Sequence, residues 1–292
     1  MRILLVGSKG QLAHDVLIRL GARHDVRGVD LPEFDITDRE SVFRGVTGWR
    51  PEAVVNCAAY TRVDACETER EAAQAVNAGG PGLLAEAAFQ VGAFLVHLST
   101  DYVFDGRRPV PQPYVEDDVP QPINWYGSTK WDGERRVMAA GGDWAILRTA
   151  WLYGARGSNF PKNILKRVLA EPDREWKVVA DQWGSPTGSR RLAEQIEAVL
   201  ERRATGLFHA TSEGYTDWCA FARFFLENLG VPCRLRPCAS AEYPTPARRP
   251  VNSILENRRL KEQGLNRFVD WREDVRDFVE RHRTALIEEA RA

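Results

Sequence analysis

Tyr126 and Lys130 stand four residues apart in the run Tyr-Gly-Ser-Thr-Lys. On a helix this spacing puts both side chains on one face. A phenol with a pKa of about 10 is a poor acid or base at neutral pH, but a neighbouring ammonium favours the phenolate and lowers that pKa. We therefore expect Tyr126 to exchange a proton with a carbonyl or an alcohol, and Lys130 to assist it and to hold a nucleotide ribose. Such a pair also occurs on solvated helices with no catalytic role.

A pair of hydroxyl side chains, Ser99 and Thr100, precedes the Tyr/Lys pair in the chain and ends an apolar run. Thr100 could donate a hydrogen bond to a substrate carbonyl and hold it against Tyr126, as an oxyanion donor does. The alternative for Thr100 is a turn residue at the end of a strand. The order of hydroxyl, phenol and ammonium along the chain favours the catalytic interpretation.

A glycine turn near the start of the chain, Gly7-Ser-Lys-Gly10, follows the apolar run Ile3 to Val6. Glycine lets the backbone approach a pyrophosphate, which then binds at the N-terminus of the next helix. Asp30 ends the second apolar run, about 20 residues on, where a carboxylate can accept from ribose hydroxyls; its alternative is a turn aspartate. The predicted cofactor-binding residues, besides Tyr126 and Lys130, are Gly7, Gly10, Gln11, Leu12, Asp30, Asp35, Ile36, Ala58, Ala59, Tyr60 and Thr61.

The elements that would position these residues alternate between strand and helix. Strands are predicted at Ile3–Val6, Val26–Asp30, Ala53–Cys57, Ala93–Leu98 and Trp144–Leu147. Helices are predicted from the glycine turn to about Leu20, from Asp38, and over 69–90 and 124–138. Strands that are apolar throughout belong inside a parallel sheet covered on both faces. The pattern predicts an α/β protein with a Rossmann-type, doubly wound parallel sheet that binds ligands at the carboxyl ends of its strands.

The pattern changes after Trp151. Helices are predicted near 160–170, 189–203, 217–229 and 271–289, separated by stretches rich in proline, glycine and arginine. We interpret residues 1–150 as an NAD(P)-binding domain, joined by the helix at 189–203, and residues 151–292 as mainly a smaller, partly helical substrate-binding lobe.

Composition narrows the class of protein. The 40 basic and 41 acidic side chains leave a formal charge of −1, which argues against nucleic acid or an anionic membrane as partner. No apolar run approaches the roughly 20 residues of a membrane span, and no signal peptide is evident after Met1. The five cysteines have no disulfide or zinc spacing. We expect a cytoplasmic protein without a metal cofactor, and a homodimer is left open.

Longer motifs carry a resemblance to a known family. They are Asn56-Cys-Ala-Ala, Tyr60-Thr-Arg-Val-Asp-x-x-Glu67, Ser99-Thr-Asp-Tyr-Val-Phe-Asp-Gly106, Asn124-x-Tyr-Gly-x-Thr-Lys-x-x-Gly-Glu134, Arg148-Thr-Ala-Trp-x-Tyr-Gly154, Asp181-Gln-Trp-Gly-Ser-Pro-Thr187 and Arg249-Pro-x-Asn-Ser253. With Gly7-x-x-Gly10, Asn77 and Asn159-Phe160, they span nearly the full chain. The sequence resembles the extended short-chain dehydrogenases/reductases and, among them, the dTDP-4-dehydrorhamnose reductase family.

The resemblance implies an oxidoreductase of carbohydrate biosynthesis. It would reduce the 4-keto group of dTDP-6-deoxy-L-lyxo-4-hexulose with NADPH or NADH and yield dTDP-L-rhamnose. The matched catalytic residues are Thr100, Tyr126 and Lys130. Val63, Thr100, Asp101 and Trp151 would contact the substrate, and the alternative for Trp151 is a core aromatic between the domains. The arginines of Ala247-Arg-Arg-Pro could bind the diphosphate or form a solvated loop.

Two alternatives stay open at this point. One is a reductase of another nucleotide 4-keto-6-deoxysugar. The other is a nonenzymatic regulatory protein on the same fold, like the regulatory subunit of methionine adenosyltransferase.

The sequence also departs from the family. Ala13 replaces the usual third glycine, and Cys57 and Trp125 replace smaller or more usual residues. Some members join subunits through magnesium on acidic helix residues; here Asp15 could serve, but Arg190 and Arg191 would repel a divalent cation.

Overall fold

Six parallel strands form the central sheet of the computed structural model, which describes residues 1–292. The strands of the molecule are β1 (Arg2–Val6), β2 (Asp25–Val29), β3 (Ala53–Asn56), β4 (Phe94–Thr100), β5 (Trp144–Thr149), β6 (Leu152–Tyr153), β7 (Glu175–Val179), β8 (Trp183–Gly184), β9 (Thr187–Gly188), β10 (Gly206–His209), β11 (Thr216–Asp217) and β12 (Arg234–Cys238). The central sheet has the order β10-β5-β4-β3-β1-β2, so the predicted doubly wound α/β fold is confirmed.

The helices cover both faces of this sheet and build the second lobe. They are α1 (Gln11–Gly21), α2 (Arg39–Trp49), α3 (Arg70–Gln74), α4 (Gly80–Val91), α5 (Trp125–Ala139), α6 (Phe160–Ala170), α7 (Ser189–Arg202), α8 (Trp218–Leu229), α9 (Arg258–Glu262) and α10 (Trp271–Arg291). Apolar residues of β1, β3 and β4 are buried on both faces, which matches their uninterrupted apolar sequences.

The direction of the strand order reverses between β1 and β3, which lie side by side. A crevice opens at the carboxyl ends of strands at such a reversal. Gly7 leaves β1 with φ of +77°, and a Cβ there would lie 2.7 Å from the backbone nitrogen of Ala58, just after β3. Only glycine lets the two loops approach this closely.

The helix predicted over 69–90 is interrupted. A π-helical turn over Ala75–Gly79 separates α3 from α4. Pro81 explains part of the break, because it has no N–H to donate to the carbonyl of Asn77 four residues earlier. The turn points the Asn77 side chain at the loop after β3, where Nδ2 donates to the Tyr60 carbonyl and Oδ1 accepts from the Tyr60 N–H.

Residues beyond 150 complete the first domain. The strand β10 pairs in parallel with Ala145–Arg148 of β5, and Leu192 and Ile196 of α7 share a core with Val16 and Leu20 of α1. The sequence did not reveal β10, because four residues after a helix carry too little periodicity to identify a strand.

The remaining chain forms the second lobe around α6, α8 and α10. Its core is rich in aromatic rings, including Phe221, Phe225 and Phe278. The buried Asp274 carboxylate of α10 accepts from the Gly188 N–H at 2.9 Å and the Tyr153 hydroxyl at 3.0 Å, which fixes α10 against the start of α7. No helix of the molecule is long and apolar enough to cross a membrane.

Candidate active site

The helix α5 carries Tyr126 and Lys130. It begins at Trp125, next to the start predicted from the sequence at residue 124. Asn124 is the N-cap, and its Oδ1 accepts from the Gly127 N–H at 2.7 Å. Glu67 accepts from the Trp125 N–H at 2.8 Å and satisfies a second free donor of the first turn. These two caps fix the position of Tyr126 at the end of β4.

Two glycines allow α5 to pack closely. A Cβ at Gly127 would collide with the Tyr102 carbonyl, and one at Gly133 would collide with the Asn77 carbonyl in the π-helical turn. These glycines therefore bring α5 close to the segment after β4 and to the π-helical turn, and Lys130 of this helix is buried.

Tyr126 lies beside the hydroxyl of Thr100, as the sequence predicts. Burial raises the pKa of the Tyr126 phenol, and the nearby Thr100 hydroxyl opposes this shift. The ring packs edge-to-face on Tyr102, with centroids 5.8 Å apart. The sequence analysis expected Lys130 to lower the pKa of the Tyr126 phenol; in the structure burial raises that pKa instead.

The Lys130 ammonium points to the sheet. Its Nζ donates to the Leu98 carbonyl at 2.6 Å. Burial lowers the pKa of Lys130 to about 8, opposed by the negative charge of Glu134. The ammonium is thus stabilised by a backbone oxygen and a carboxylate, and burial outweighs any charge effect on Tyr126.

Thr100 and Asp101 form the polar floor beside Tyr126. The Thr100 hydroxyl donates to Asp101 Oδ1 at 2.9 Å and accepts from the Tyr102 N–H at 3.2 Å. Asp101 is 2 % exposed, and burial raises its pKa to about 6. Its Oδ2 has no partner within the protein, which leaves a buried acceptor at the strand end.

The first turn of α1 can receive a phosphate. Gly10 is its N-cap and no side chain caps it, so the backbone N–H groups of Gln11 and Leu12 have no partner within the helix. The Gln11 side chain accepts from Asn159 Nδ2 at 2.9 Å, which brings a loop of the second lobe to the rim of the glycine turn. The residues here fit a dinucleotide pyrophosphate.

Asp30 ends β2 and accepts from the backbone N–H groups of Lys9 and Leu31, each at 2.8 Å. Asp30 therefore stabilises a turn, which was the alternative to a cofactor-binding role in the sequence analysis. A carboxylate has about four lone-pair sites, so these two bonds leave acceptor capacity for ribose hydroxyls. The Lys9 ammonium donates to the Leu31 carbonyl.

Asp35 and Ile36 make local contacts in the structure. Asp35 Oδ1 accepts from the N–H and the hydroxyl of Thr37, and Ile36 is buried against Gly80. Their place beside an adenine stays a prediction.

The loop after β3 is held from both sides. Asn56 Oδ1 accepts from the Ala58 N–H at 3.1 Å, and Asn77 binds both backbone groups of Tyr60. Ala59 is half-buried and Thr61 is exposed. The Tyr60 hydroxyl donates to Glu69, which raises the pKa of Tyr60, so its ring faces outward and its backbone borders the crevice.

Trp151 stacks on Trp218, with ring centroids 3.5 Å apart and an angle of 6° between the planes. The Trp151 indole also lies close to Gly184, where an added Cβ would be 2.5 Å from the ring. Trp151 has a φ of +47°, so the chain turns sharply there. The half-buried ring packs against the aromatic core of the second lobe, and half-buried Val63 lies in the loop after β3. The contacts of both residues with a substrate stay predictions.

The two arginines of the 247–250 loop differ. Arg249 forms a bidentate ion pair with Asp64, at 3.0 and 2.8 Å. The Arg248 side chain is exposed, and its carbonyl accepts from Asn124 Nδ2 at 2.7 Å. Arg248 is thus tethered next to the start of α5, with its guanidinium free for an anion.

The carboxylates near Asp15 are engaged by protein donors. Asp15 accepts from the Ser189 hydroxyl. Arg190 donates to Glu194 at 2.6 Å and to Asp277 at 2.5 Å. The guanidinium of Arg190 therefore already pairs with two of these carboxylates.

Several residues that shape the site had no assigned role in the sequence analysis. Asn56, Glu67, Asn77, Glu134 and Arg148 bind the loops or the helix that carry the predicted site residues. All five stood in the family motifs, which was the available signal, but a motif does not show what each side chain contacts.

The sheet, the glycine turn and the Thr/Tyr/Lys group define a dinucleotide-binding α/β protein of the oxidoreductase type. More specifically, the chain belongs to the family described as the RmlD substrate binding domain, whose model matches residues 1–284.

Named relatives agree with this assignment. The chain is 40% identical to a dTDP-4-dehydrorhamnose reductase of Burkholderia thailandensis, over 93% of this chain and 96% of the relative. It is 42% identical to a dTDP-4-keto-6-deoxy-D-glucose reductase of Streptomyces niveus, over 92% and 93% of the two chains. The crystal structure of a Bacillus anthracis dTDP-4-dehydrorhamnose reductase in complex with NADP is similar, with a TM-score of 0.92, 35% identity and coverage of 96% and 99%.

Proposed function

We propose that the protein reduces the 4-keto group of dTDP-6-deoxy-L-lyxo-4-hexulose to give dTDP-L-rhamnose, using NADPH or NADH. The observation that carries the proposal is the pairing of Thr100 and Tyr126 at the carboxyl end of β4, beside the crevice between β1 and β3. The similarity to the Burkholderia and Bacillus proteins supports the choice of substrate.

Each residue of the catalytic group has a distinct task. Thr100 would redirect its one hydroxyl proton from Asp101 to the carbonyl oxygen, and Tyr126 gives that oxygen its proton as the alcohol forms. Bound NADPH or NADH supplies the hydride. Lys130 would provide a positive charge one helical turn from Tyr126 and bind a ribose hydroxyl.

The cofactor would be held by its pyrophosphate. Gly7 keeps the first loop close to Ala58, and the free N–H groups of Gln11 and Leu12 would bind the phosphates. Asp30 would accept hydrogen bonds from the hydroxyls of the adenosine ribose. Lys9 or Arg27 would bind the 2′-phosphate of NADPH. We therefore propose that both cofactors are accepted.

The nucleotide sugar would lie between the two lobes. Trp151 offers an aromatic face at that boundary, and Arg248 offers a free guanidinium for the diphosphate. Asp101, whose Oδ2 has no partner, could accept from a sugar hydroxyl. Val63 would border the same space.

The decisive experiment is an assay of the purified protein with NADPH or NADH and a panel of dTDP-4-keto-6-deoxysugars. Oxidation of the cofactor and appearance of dTDP-L-rhamnose by mass spectrometry and NMR would support the proposal. Absence of turnover with every sugar, in protein that binds NADPH, would contradict it. A ratio of kcat/KM between the cofactors settles their preference, and strong selectivity for NADPH would contradict the place given to Asp30.

A second candidate is reduction of a different dTDP-4-keto-6-deoxysugar. The name of the Streptomyces niveus relative favours it, because that protein is 42% identical and is described as a dTDP-4-keto-6-deoxy-D-glucose reductase. The same panel distinguishes the two. A regulatory role without catalysis has less support, because Thr100, Tyr126 and Lys130 are all present.

We also propose a cytoplasmic location. All five cysteines are free thiols, which is typical of a reducing compartment. Fractionation of the producing cells tests this.

A further inference from the structure

Three consecutive residues at the end of β4 face three residues of α5. The Leu98 carbonyl accepts from Lys130 Nζ at 2.6 Å, and the Ser99 hydroxyl donates to Glu134 Oε1 at 2.5 Å, while Thr100 lies beside Tyr126. The three partners on α5 are spaced four residues apart, so they lie along one face of the helix. We call this set of contacts the β4–α5 contact.

Glu134 is the member of this set that has no part in the proposed reaction. It is completely buried, and Arg148 of β5 binds it in a bidentate ion pair, with Nε to Oε1 at 2.9 Å and Nη2 to Oε2 at 2.6 Å. A bidentate pair with a guanidinium is the geometry of an ionised carboxylate. Glu134 is thus a fixed negative charge one helical turn beyond Lys130.

Three titratable side chains surround Lys130, and their charges decide how well its ammonium is stabilised. Lys130 faces Cys57 from the loop after β3, His97 from β4 and Glu134 from its own helix. Burial raises the pKa of the Cys57 thiol to about 12 and lowers the pKa of His97 well below its ordinary value, so both are neutral at pH 7. Of these three neighbours only Glu134 carries a charge that can stabilise the ammonium.

We propose that Glu134, held by Ser99 and Arg148, is a positioning residue that keeps the Lys130 ammonium charged and in place at the end of β4. This inference rests on the proposed function only where it links the charge on Lys130 to turnover. Arg148 fixes the carboxylate through two hydrogen bonds, one to each of its oxygens.

The direct test is the titration of Lys130 itself. The chain has only six lysines, so carbon-13 NMR of labelled lysine can follow each one, and Lys130→Met assigns the signal. In Glu134→Gln we expect the Lys130 midpoint to fall by on the order of one pH unit, because an opposite charge at i,i+4 is removed from a buried site. An unchanged midpoint in folded protein would overturn the proposal.

Glu134→Gln also leaves Arg148 buried without an anion, which destabilises a protein strongly. The double variant Glu134→Gln/Arg148→Met removes both charges and should recover folding, while its Lys130 midpoint stays below that of the wild type. Glu134→Asp keeps the charge, so its midpoint should stay close to the wild-type value. Glu116→Gln is the matched control: this buried carboxylate accepts from the His209 and Arg259 N–H groups, and its loss should lower stability without shifting Lys130.

Turnover gives a second readout. If Lys130 must be charged, the alkaline limb of kcat/KM moves to lower pH by the same amount as the NMR midpoint. If the wild type reduces none of the sugars, the proposed function fails, and the NMR titration still decides the role of Glu134. A shifted midpoint with an unshifted alkaline limb would uphold the electrostatic role and contradict its link to catalysis.

Discussion

Tyr126 is half-buried beside the end of β4, where burial raises the pKa of its phenol and the nearby Thr100 hydroxyl opposes this shift. The neutral phenol therefore dominates at physiological pH. A neutral phenol is the form that donates a proton, as reduction of a carbonyl requires. The static structure thus fits the reducing direction better than oxidation of an alcohol.

Tyr126→Phe tests this assignment. The ring still packs on Tyr102, so we expect the melting temperature and the NADPH affinity to stay near wild type. Loss of the proton donor should lower kcat by about 10²–10⁴-fold. Steady-state kinetics and a thermal melt measure both effects, and wild-type turnover in the variant would remove Tyr126 from the mechanism.

The charge on Lys130 predicts a pH dependence. Its pKa is about 8, and the ammonium is the charged form, so the charge is present below that pH and is lost as the pH rises through it. We expect kcat/KM and NADPH affinity to fall on the alkaline side of about pH 8. Stopped-flow or steady-state measurements across the range, with fluorescence titration of NADPH, check this.

Lys130→Ala should weaken catalysis and cofactor affinity together and abolish that alkaline limb. Lys166→Ala is a suitable control, since Lys166 is exposed on α6 and should leave both quantities unchanged. Equal behaviour of the two variants would make Lys130 an ordinary structural lysine.

At the scale of elements, the site depends on how closely α5 approaches its neighbours. The π-helical turn presents Asn77, which binds the Tyr60 backbone and the Thr129 hydroxyl. The same turn places the Asn77 carbonyl against Gly133. One short irregular segment thereby sets the distance between the loop after β3 and the helix that carries Tyr126.

Gly133→Ala is expected to disturb this packing. The new methyl group would collide with the Asn77 carbonyl, and such overpacking destabilises by about 1–3 kcal/mol. Gly48→Ala is the matched control, because Gly48 is an exposed residue of α2 with open space around it and alanine there should stabilise by about 0.5–1 kcal/mol. Urea denaturation measures both, and equal stability of Gly133→Ala and wild type would show that α5 can move freely.

At the scale of the whole molecule, two lobes are fastened together by polar contacts distant in sequence. Asp64 binds Arg249 and the Ala247 N–H, which attaches the 247–250 loop to the loop after β3. Asp274 joins α10 to the start of α7. The two contacts join residues that lie 185 and 86 positions apart in the chain.

The cluster around Asp15 leads to a prediction about metals. Arg190 already neutralises Asp277 and Glu194 there, and Ser189 donates to Asp15. We expect turnover and elution volume in size-exclusion chromatography to be the same with excess EDTA and with added magnesium. Loss of turnover on chelation, restored by magnesium, would contradict the prediction for catalysis; a change in elution volume alone would contradict it for assembly.

The sequence by itself determined the parts whose causes are local. The apolar runs specify buried parallel strands, Asn124 caps α5, Asp38 accepts from Glu40 and Ser41 to begin α2, and the glycine turn after β1 precedes α1. Each follows from the properties of a few adjacent residues. The Tyr/Lys spacing and the hydroxyl of Thr100 likewise located the candidate chemistry.

Only the tertiary structure decided which distant groups meet. It adds β10 to the sheet, turns the Lys130 ammonium to the Leu98 carbonyl, and pairs Arg249 with Asp64 across 185 positions. It also reverses the expected direction for Tyr126, whose pKa rises. The physical reason is that burial and partners from other elements set these properties, and neither is visible in the spacing of residues along one helix.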